Sequence, residues 1–162
     1  MNLIVVASAR RNGNTMQAAR HLQSELGGDI VDLLDLNIGP FRYDQAYFSE
    51  DDFLDFIEAK LLKYDSIVFA SPVYWYSMSG GMKTFFDRMS DLLKSRKELG
   101  RQLRGKEMSV LSCSGDAEVF PSFFLPFRLS ADYLGMTYGT EWHSWVDKDG
   151  LHFEDPNPSP AK

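Results

Sequence analysis

Short apolar runs alternate with amphipathic patterns along the chain, and this alternation constrains the fold more than any other feature. Runs such as LIVV and IVFA are apolar at consecutive positions, which is typical of strands covered on both faces in a parallel sheet. Alternating strands and helices imply right-handed crossovers. The pattern predicts an α/β fold with a doubly wound five-stranded parallel sheet, in the order 2-1-3-4-5. The predicted strands are 3–8, 29–36, 66–71, 107–113 and 136–146.

Helical spacing of apolar residues predicts helices over 14–26, 50–62, 79–95 and 121–134. Ser79 is a suitable N-cap for the third helix, and SEDD at 49–52 resembles a capping box for the second. Pro126 is expected in the first turn of the fourth helix, which ends before Gly135. No helical pattern follows the fifth strand.

Composition and charge exclude several classes of function. The chain has 162 residues and a net charge of −6, so its summed field repels nucleic acid and anionic membrane surfaces. No apolar run approaches the roughly 20 residues of a membrane span, and LIVVA is too short for a signal-peptide core. A single cysteine, Cys113, allows no intrachain disulfide, so we expect a cytoplasmic protein.

Three unusual loops follow the first, third and fourth predicted strands. They read SARRNGNT at 8–15, SPVYWYSMSGG at 71–81 and SCSGD at 112–116. In an open α/β sheet, ligands bind outside the carboxyl ends of the strands, at the point where the strand order reverses. These strands are neighbours in the expected order, so we predict that the three loops converge on one cleft.

The first loop resembles an anion site that matches neither common phosphate motif. It lacks the Gly-Lys-Ser/Thr ending of a P-loop and has one glycine where a dinucleotide fingerprint has three. Gly13 is expected to permit a tight turn, the next helix to supply free amides, and Arg10 or Arg11 to supply charge. Short donors favour one terminal phosphate; the alternative is an ordinary helix cap formed by Asn14 or Thr15. The side-chain donors are Ser8, Asn12, Asn14 and Thr15.

The second loop sets Tyr74, Trp75 and Tyr76 in succession at the end of a strand. Such aromatics suit the border of a flat ring, although a subunit interface or a local aromatic cluster is an alternative role. The third loop is small and polar and could admit the edge of a ligand. Cys113 is interpreted as a small buried hydrophobe and not as a nucleophile, because no histidine lies near it in sequence.

SARRNGNT together with SPVYWYSMSGGMKTFFDR at 71–88 resembles the flavodoxin-fold NAD(P)H-dependent FMN reductases, near the iron–sulfur flavoprotein branch. The order of strands and helices extends the likeness from about residue 1 to 143. The resemblance makes 1–146 a flavodoxin-like FMN-binding domain and leaves 147–162 as a short hairpin and tail. The iron–sulfur branch carries a cysteine cluster where this chain reads NIGPFRYDQAYFSEDDF at 37–53, and one cysteine cannot ligate such a cluster.

The resemblance implies non-covalently bound FMN, with NADH or NADPH as co-substrate and a quinone, a flavin or another small molecule as electron acceptor. It also implies a homodimer or tetramer. No catalytic side chain and no metal site are expected. Two alternatives stay open: an electron-transfer or sensory flavoprotein without hydride transfer, and a family member that has lost flavin. The implied FMN contacts are Ser8, Arg10, Asn12, Asn14 and Thr15 for the phosphate, and Pro72, Val73, Tyr74, Trp75, Ser112, Ser114 and Gly115 around the ring.

Overall fold

A computed structural model describes residues 1–154 and shows one six-stranded sheet. The sheet order is β2-β1-β3-β4-β5-β6, and the first five strands are parallel in the predicted order. The prediction of five strands is corrected to six, because β6 pairs antiparallel with β5. The tail predicted beyond Glu154 lies outside the described residues. The strands are β1 (Asn2–Val6), β2 (Asp29–Asp32), β3 (Ser66–Pro72), β4 (Glu107–Ser114), β5 (Thr137–Asp147) and β6 (Gly150–Phe153).

Six helices connect these strands within the described part of the chain. Ser79 caps α3 as predicted, its hydroxyl accepting a hydrogen bond from the Met82 amide at 3.1 Å. Pro126 lies in the first turn of α6, and Gly135 ends that helix in the left-handed conformation, with φ of 72°. The helices are α1 (Asn14–Leu26), α2 (Phe53–Ala59), α3 (Gly80–Arg88), α4 (Asp91–Lys94), α5 (Lys97–Arg101) and α6 (Leu125–Leu134).

Polar side chains end some elements earlier than apolar spacing predicts. β2 stops at Asp32 because its carboxylate accepts a hydrogen bond from the Leu34 amide at 3.0 Å and starts a 3₁₀ turn. The capping box predicted at 49–52 is wrong, since the Asp52 carboxylate accepts from the Asn37 amide at 2.7 Å and does not cap α2. The predicted helix over 79–95 breaks after Arg88, where hydrogen bonds three residues apart tighten the chain.

Two apolar clusters cover the two faces of the sheet. One lies between the sheet and α1; the other lies between the sheet and α2, α3 and α6. Leu151 and Phe153 of β6 pack against the first cluster, and the Phe153 ring lies 4.5 Å from that of His21 on α1. The hairpin therefore covers part of the face that α1 shares. None of the helices in residues 1–154 has the length and apolarity needed to cross a membrane.

A fully buried arginine organises the long segment between β2 and α2. Arg88 donates to both carboxylate oxygens of Asp51, at 2.7 and 2.9 Å, and to the Asp91 carboxylate at 2.9 Å. Its guanidinium also donates to the Gly39 carbonyl at 3.1 Å and stacks on the Tyr47 ring at 3.6 Å. In the stretch 37–53, where the iron–sulfur branch has cysteines, this chain thus uses a buried ion-pair cluster.

This cluster lowers the pKa of the Asp51 carboxylate. Burial acts to raise the pKa of Asp51, but hydrogen bonds from Arg88 and from the amides of Gly39 and Phe53 outweigh it. The pKa of Asp51 is therefore held below its usual value, and the folded state keeps the carboxylate charged.

Candidate functional site

The three loops predicted to converge do meet at the carboxyl ends of β1, β3 and β4. Between them lies a cleft of about 180 Å³ beside the start of α1. The first loop lines it with Ser8, Arg10, Asn14 and Thr15; the second with Pro72, Val73 and Tyr74; the third with Ser114 and Gly115. The convergence of the loops follows from strand order, because β1, β3 and β4 are adjacent in the sheet.

The N-terminus of α1 opens onto this cleft without a side-chain cap. The N-cap residue is Gly13, so neither Asn14 nor Thr15 caps the helix, and the alternative of an ordinary cap is wrong. Gly13 closes the expected turn, its amide donating to the Arg10 carbonyl at 3.4 Å, and its φ of −81° is one that any residue adopts. The first-turn amides and the positive end of the helix dipole remain available to an anion.

The two arginines of the first loop have different surroundings. Arg11 pairs with Asp35 and donates to the Leu34 carbonyl at 3.0 Å, on the side of the 3₁₀ turn after β2. Arg10 lines the cleft, and among residues 1–154 it forms no ion pair. Asn12 is exposed and its side-chain oxygen accepts a hydrogen bond from Arg20 at 3.3 Å, outside the cleft lining. Arg10 is thus the charged group of this loop that faces the cleft.

A buried hydroxyl joins the first and second loops. The Ser79 hydroxyl donates to the Ala7 carbonyl at 2.7 Å, while the Ser79 amide donates to the Ser71 hydroxyl at 2.9 Å. Ser79 therefore fixes the end of β1 against the start of α3 as well as capping that helix. The local sequence indicates only the cap, because the bond to Ala7 joins residues 72 positions apart.

The aromatic triplet forms a strained turn at the mouth of the cleft. Tyr74 and Ser77 exchange two backbone hydrogen bonds, at 2.9 and 3.1 Å. The central residues Trp75 and Tyr76 have φ of 48° and 65°, the mark of a type I′ turn. Asn and Gly are the usual residues there, and bulky side chains with positive φ cost about 1 kcal/mol or more each. Strain held at two exposed aromatics points to a function for those rings.

A second, wider space of about 290 Å³ continues from the first cleft. Val73, Ser114 and Gly115 line both spaces, which makes them two ends of one groove. Trp75, whose side chain is 94% exposed, borders the second space, and Tyr76 meets Phe120 edge to face at 5.3 Å. A Cβ added to Gly115 would meet nothing within 4 Å, so the groove is open beside this residue. The groove combines an anion-binding end with an aromatic end.

Ser112 lies outside the groove lining. It is fully buried, and its hydroxyl lies 2.8 Å from Nδ1 of His143 and 3.1 Å from the Trp142 carbonyl. Cys113 is buried beside Thr15 and Ser144; burial raises the pKa of its thiol more than those two hydrogen bonds lower it. This environment agrees with the interpretation of Cys113 as a small buried hydrophobe.

His143 lies near the groove, and no motif in the sequence marks it as a candidate site residue. Its Nε2 lies 2.9 Å from the carbonyl of Asp116, in the third loop. The contact joins residues 27 positions apart, and no local pattern signals it. Within residues 1–154, no group of His, Cys, Asp and Glu side chains has the arrangement needed to hold a metal ion.

Comparison with known proteins identifies the family of this chain. The family described as NADPH-dependent FMN reductase has a model that matches residues 2–120, well over half of the chain. The chain belongs to the NADPH-dependent FMN reductase family. The family assignment agrees with the resemblance carried by SARRNGNT and by the stretch 71–88.

A relative in Bacillus subtilis matches most of the length of this chain. A protein of Bacillus subtilis (strain 168), YwqN, named as an NAD(P)H-dependent FMN-containing oxidoreductase, is 29% identical over 120 residues. That match covers 70% of this chain and 66% of YwqN, so the chain spans slightly less than two thirds of this relative.

Solved structures establish the flavodoxin-like fold of this FMN reductase family member. The Trp repressor binding protein of Bacillus subtilis superposes with a TM-score of 0.71 at 23% identity, covering 91% of this chain and 89% of that one. General stress protein 14 of Treponema denticola, solved in complex with FMN, superposes with a TM-score of 0.61 at 17% identity, covering 91% and 87%. At these identities the likeness concerns the fold alone.

Proposed function

We propose that this chain binds FMN non-covalently in the groove and acts as an NAD(P)H-dependent oxidoreductase that passes electrons to a quinone, a flavin or another small acceptor. One observation carries the proposal: an uncapped helix N-terminus beside Arg10, which forms no ion pair within residues 1–154, lies at one end of a groove whose other end is aromatic. FMN has the matching form, a phosphate with a charge of about −1.5 to −2 at one end and a flat ring at the other.

The residues present fit this cofactor. Arg10, the amides that begin α1 and the side chains of Asn14 and Thr15 would hold the phosphate. Val73, Tyr74 and Gly115 would border the ring, and the space beside Gly115 is open. The FMN-bound neighbour and the name of YwqN support the same cofactor. Asn12 and Ser112 were predicted as contacts, and their present positions leave them outside the lining.

When bound, FMN supplies the redox chemistry, accepting hydride from NADH or NADPH and returning electrons to an acceptor. The chain supplies binding and orientation. The exposed turn at Trp75 and Tyr76 leaves one side of the wider space open to a second planar molecule. No side-chain acid or base is needed in this scheme. The buried free thiol of Cys113 agrees with a reducing compartment, so we propose the cytoplasm as its location.

The test is spectroscopic and has two steps. Purified protein is titrated with FMN under flavin fluorescence, and the complex then receives NADH or NADPH without oxygen. We expect binding at micromolar concentration or tighter, followed by bleaching of the flavin absorption band. Absence of binding would refute both flavin functions and favour a member that has lost flavin. Binding with a band that persists would contradict hydride transfer and favour an electron carrier or sensor.

We also propose that the chain forms a homodimer or tetramer through an apolar groove beside α6. Leu129 and Tyr133 lie one helical turn apart on α6 and are 61% and 76% exposed. They border a space of about 340 Å³ together with Phe86, Met89 and Leu93. Exposed apolar side chains arranged in this way are typical of protein interfaces. A second copy of the chain is the occupant that the family resemblance implies.

A further inference from the structure

In the described chain, one side-chain hydrogen bond links residues 115–119, which follow β4, to another strand. Within residues 115–119 of the described chain, the hydrogen bonds are made by Asp116: its amide donates to the Ser114 hydroxyl, and its carbonyl accepts from the Ser114 hydroxyl and from His143. The Ser114 bonds close a tight local turn, at 2.7 and 3.0 Å. The bond from His143 Nε2 to the Asp116 carbonyl, at 2.9 Å, is the one that connects this loop to another strand.

The chemistry of the partners fixes which nitrogen carries the proton. A carbonyl oxygen only accepts, so Nε2 of His143 must donate to Asp116. Nδ1 lies 2.8 Å from the Ser112 hydroxyl, whose single proton can be donated to Nδ1 in place of the Trp142 carbonyl at 3.1 Å. The side chain of His143 is thus satisfied at both ends although the residue is only 3% exposed.

Neighbouring rings hold the imidazole in place. Ser112 and His143 are register partners on β4 and β5, so their side chains lie on the same face of the sheet. The Trp145 ring stacks beside His143, with centroids 6.0 Å apart and planes 20° apart, and His152 stacks on Trp145 at 5.1 Å. A ring held in this way presents its Nε2 hydrogen in one direction.

We propose that His143 is a positioning residue for the ring-binding end of the groove. It holds the Asp116 carbonyl and thereby sets Ser114 and Gly115, which line both parts of the groove. The inference rests on the proposed FMN function, but the loop-holding role concerns the flavin-free protein as well. Asp116 lines the wider, aromatic end of the groove and not the cleft beside the start of α1, so we expect the contact from His143 to act on binding of the ring more than of the phosphate.

Two substitutions of similar polarity separate this role from general stability. In His143→Gln the amide nitrogen can take the place of Nε2 and reach the Asp116 carbonyl. In His143→Asn the shorter side chain reaches only the position of Nδ1 and keeps the Ser112 partner. His152→Gln alters the same ring stack without touching the loop and serves as a control.

Hydrogen exchange of the flavin-free protein tests the first part. We expect amides of 114–119 to exchange about tenfold faster in His143→Asn than in the wild type, with His143→Gln and His152→Gln close to the wild type. Amides of β1 and β3 in the same samples report global opening and correct for lost stability. Equal exchange of this loop in the Asn and Gln variants would overturn the loop-holding role.

Affinity for FMN and riboflavin tests the second part. We expect His143→Asn to weaken both ligands by the same factor, about fivefold to tenfold, because the loss of one hydrogen bond acts on the shared ring. His143→Gln should restore both affinities. Weakening of FMN alone would overturn the inference. A wild type that binds neither ligand would refute the proposed function, and the exchange experiment would still decide whether His143 holds the loop.

Discussion

Replacement of Arg88 by methionine is expected to leave two buried carboxylates without their counter-charge. Arg88 is fully buried and makes four hydrogen bonds, two to Asp51, one to Asp91 and one to the Gly39 carbonyl. The Asp51 and Asp91 side chains are only 7% and 2% exposed, so water cannot replace the lost partner. Methionine has a similar length and fills most of the volume, which leaves charge as the main difference.

The expected magnitude follows from the burial of the pair. Removal of one partner from a buried ion pair costs about 3–5 kcal/mol, and for a chain of this size that lowers Tm by roughly 6–20 °C. The variant Arg88→Met with Asp51→Asn and Asp91→Asn removes the stranded charges and should recover much of this loss. Urea unfolding followed by circular dichroism at pH 7 measures both differences.

Acid pH gives a second test with a definite sign. The low pKa of Asp51 in the wild type contributes stability that is present above about pH 4, the unfolded value, and is lost as the pH falls through the folded value. Without Arg88 the same buried carboxyl should have a raised pKa and become neutral on mild acidification. The difference in the free energy of unfolding between wild type and Arg88→Met should therefore become smaller from pH 7 to pH 4. A difference below about 1 kcal/mol at pH 7, or one that widens with acid, would refute this reasoning.

Three further predictions concern the groove and the apolar face. Trp75→Gly should relieve the strain of the positive φ and raise the free energy of unfolding by about 1 kcal/mol, while weakening flavin binding. A lower free energy of unfolding in chemical denaturation would contradict the inference that Trp75 is strained. Gly115→Leu should fill the groove and abolish flavin binding with Tm unchanged, whereas Gly115→Ala should be tolerated. Calorimetric titration compares the flavin affinities of the two variants, and equal affinities would place the ring elsewhere. Leu129→Glu, in the apolar groove beside α6, should give monomers in analytical ultracentrifugation, while Leu26→Glu, at a leucine outside that groove, should not. Unchanged assembly in both variants would exclude the face beside α6 as the subunit interface.

Local patterns in the sequence predict the elements and their order well. Apolar runs such as LIVV and IVFA, alternating with helical patterns, predicted a parallel sheet, and its strand order brings the three loops together. The Ser79 cap and the end of α6 at Gly135 depend on neighbours within a few residues, and both are confirmed. These features need no information about distant contacts.

Features that depend on long-range polar contacts were missed or wrong. Charged residues are seldom buried, so nothing in KTFFDRMSDLL indicated that Arg88 and Asp91 lie in the interior. Asp51 and Asp52 fit a capping box in sequence, yet their carboxylates bond to Arg88, Gly39 and Asn37 across the fold. The contact between His143 and Asp116 also joins distant parts of the sequence, so no local pattern indicated it.

The affinity ratio of FMN to riboflavin tests the central claim most directly, because the two ligands share the ring and differ in the phosphate. Isothermal titration should show FMN binding at least about tenfold tighter, as expected for a phosphate held by Arg10 and the start of α1. Asn14→Ala combined with Thr15→Ala should reduce that ratio by weakening FMN alone, while Arg11→Ala, at the arginine paired with Asp35, should preserve it. Equal affinity for the two ligands in the wild type, or equal weakening of both in the double variant, would contradict the account.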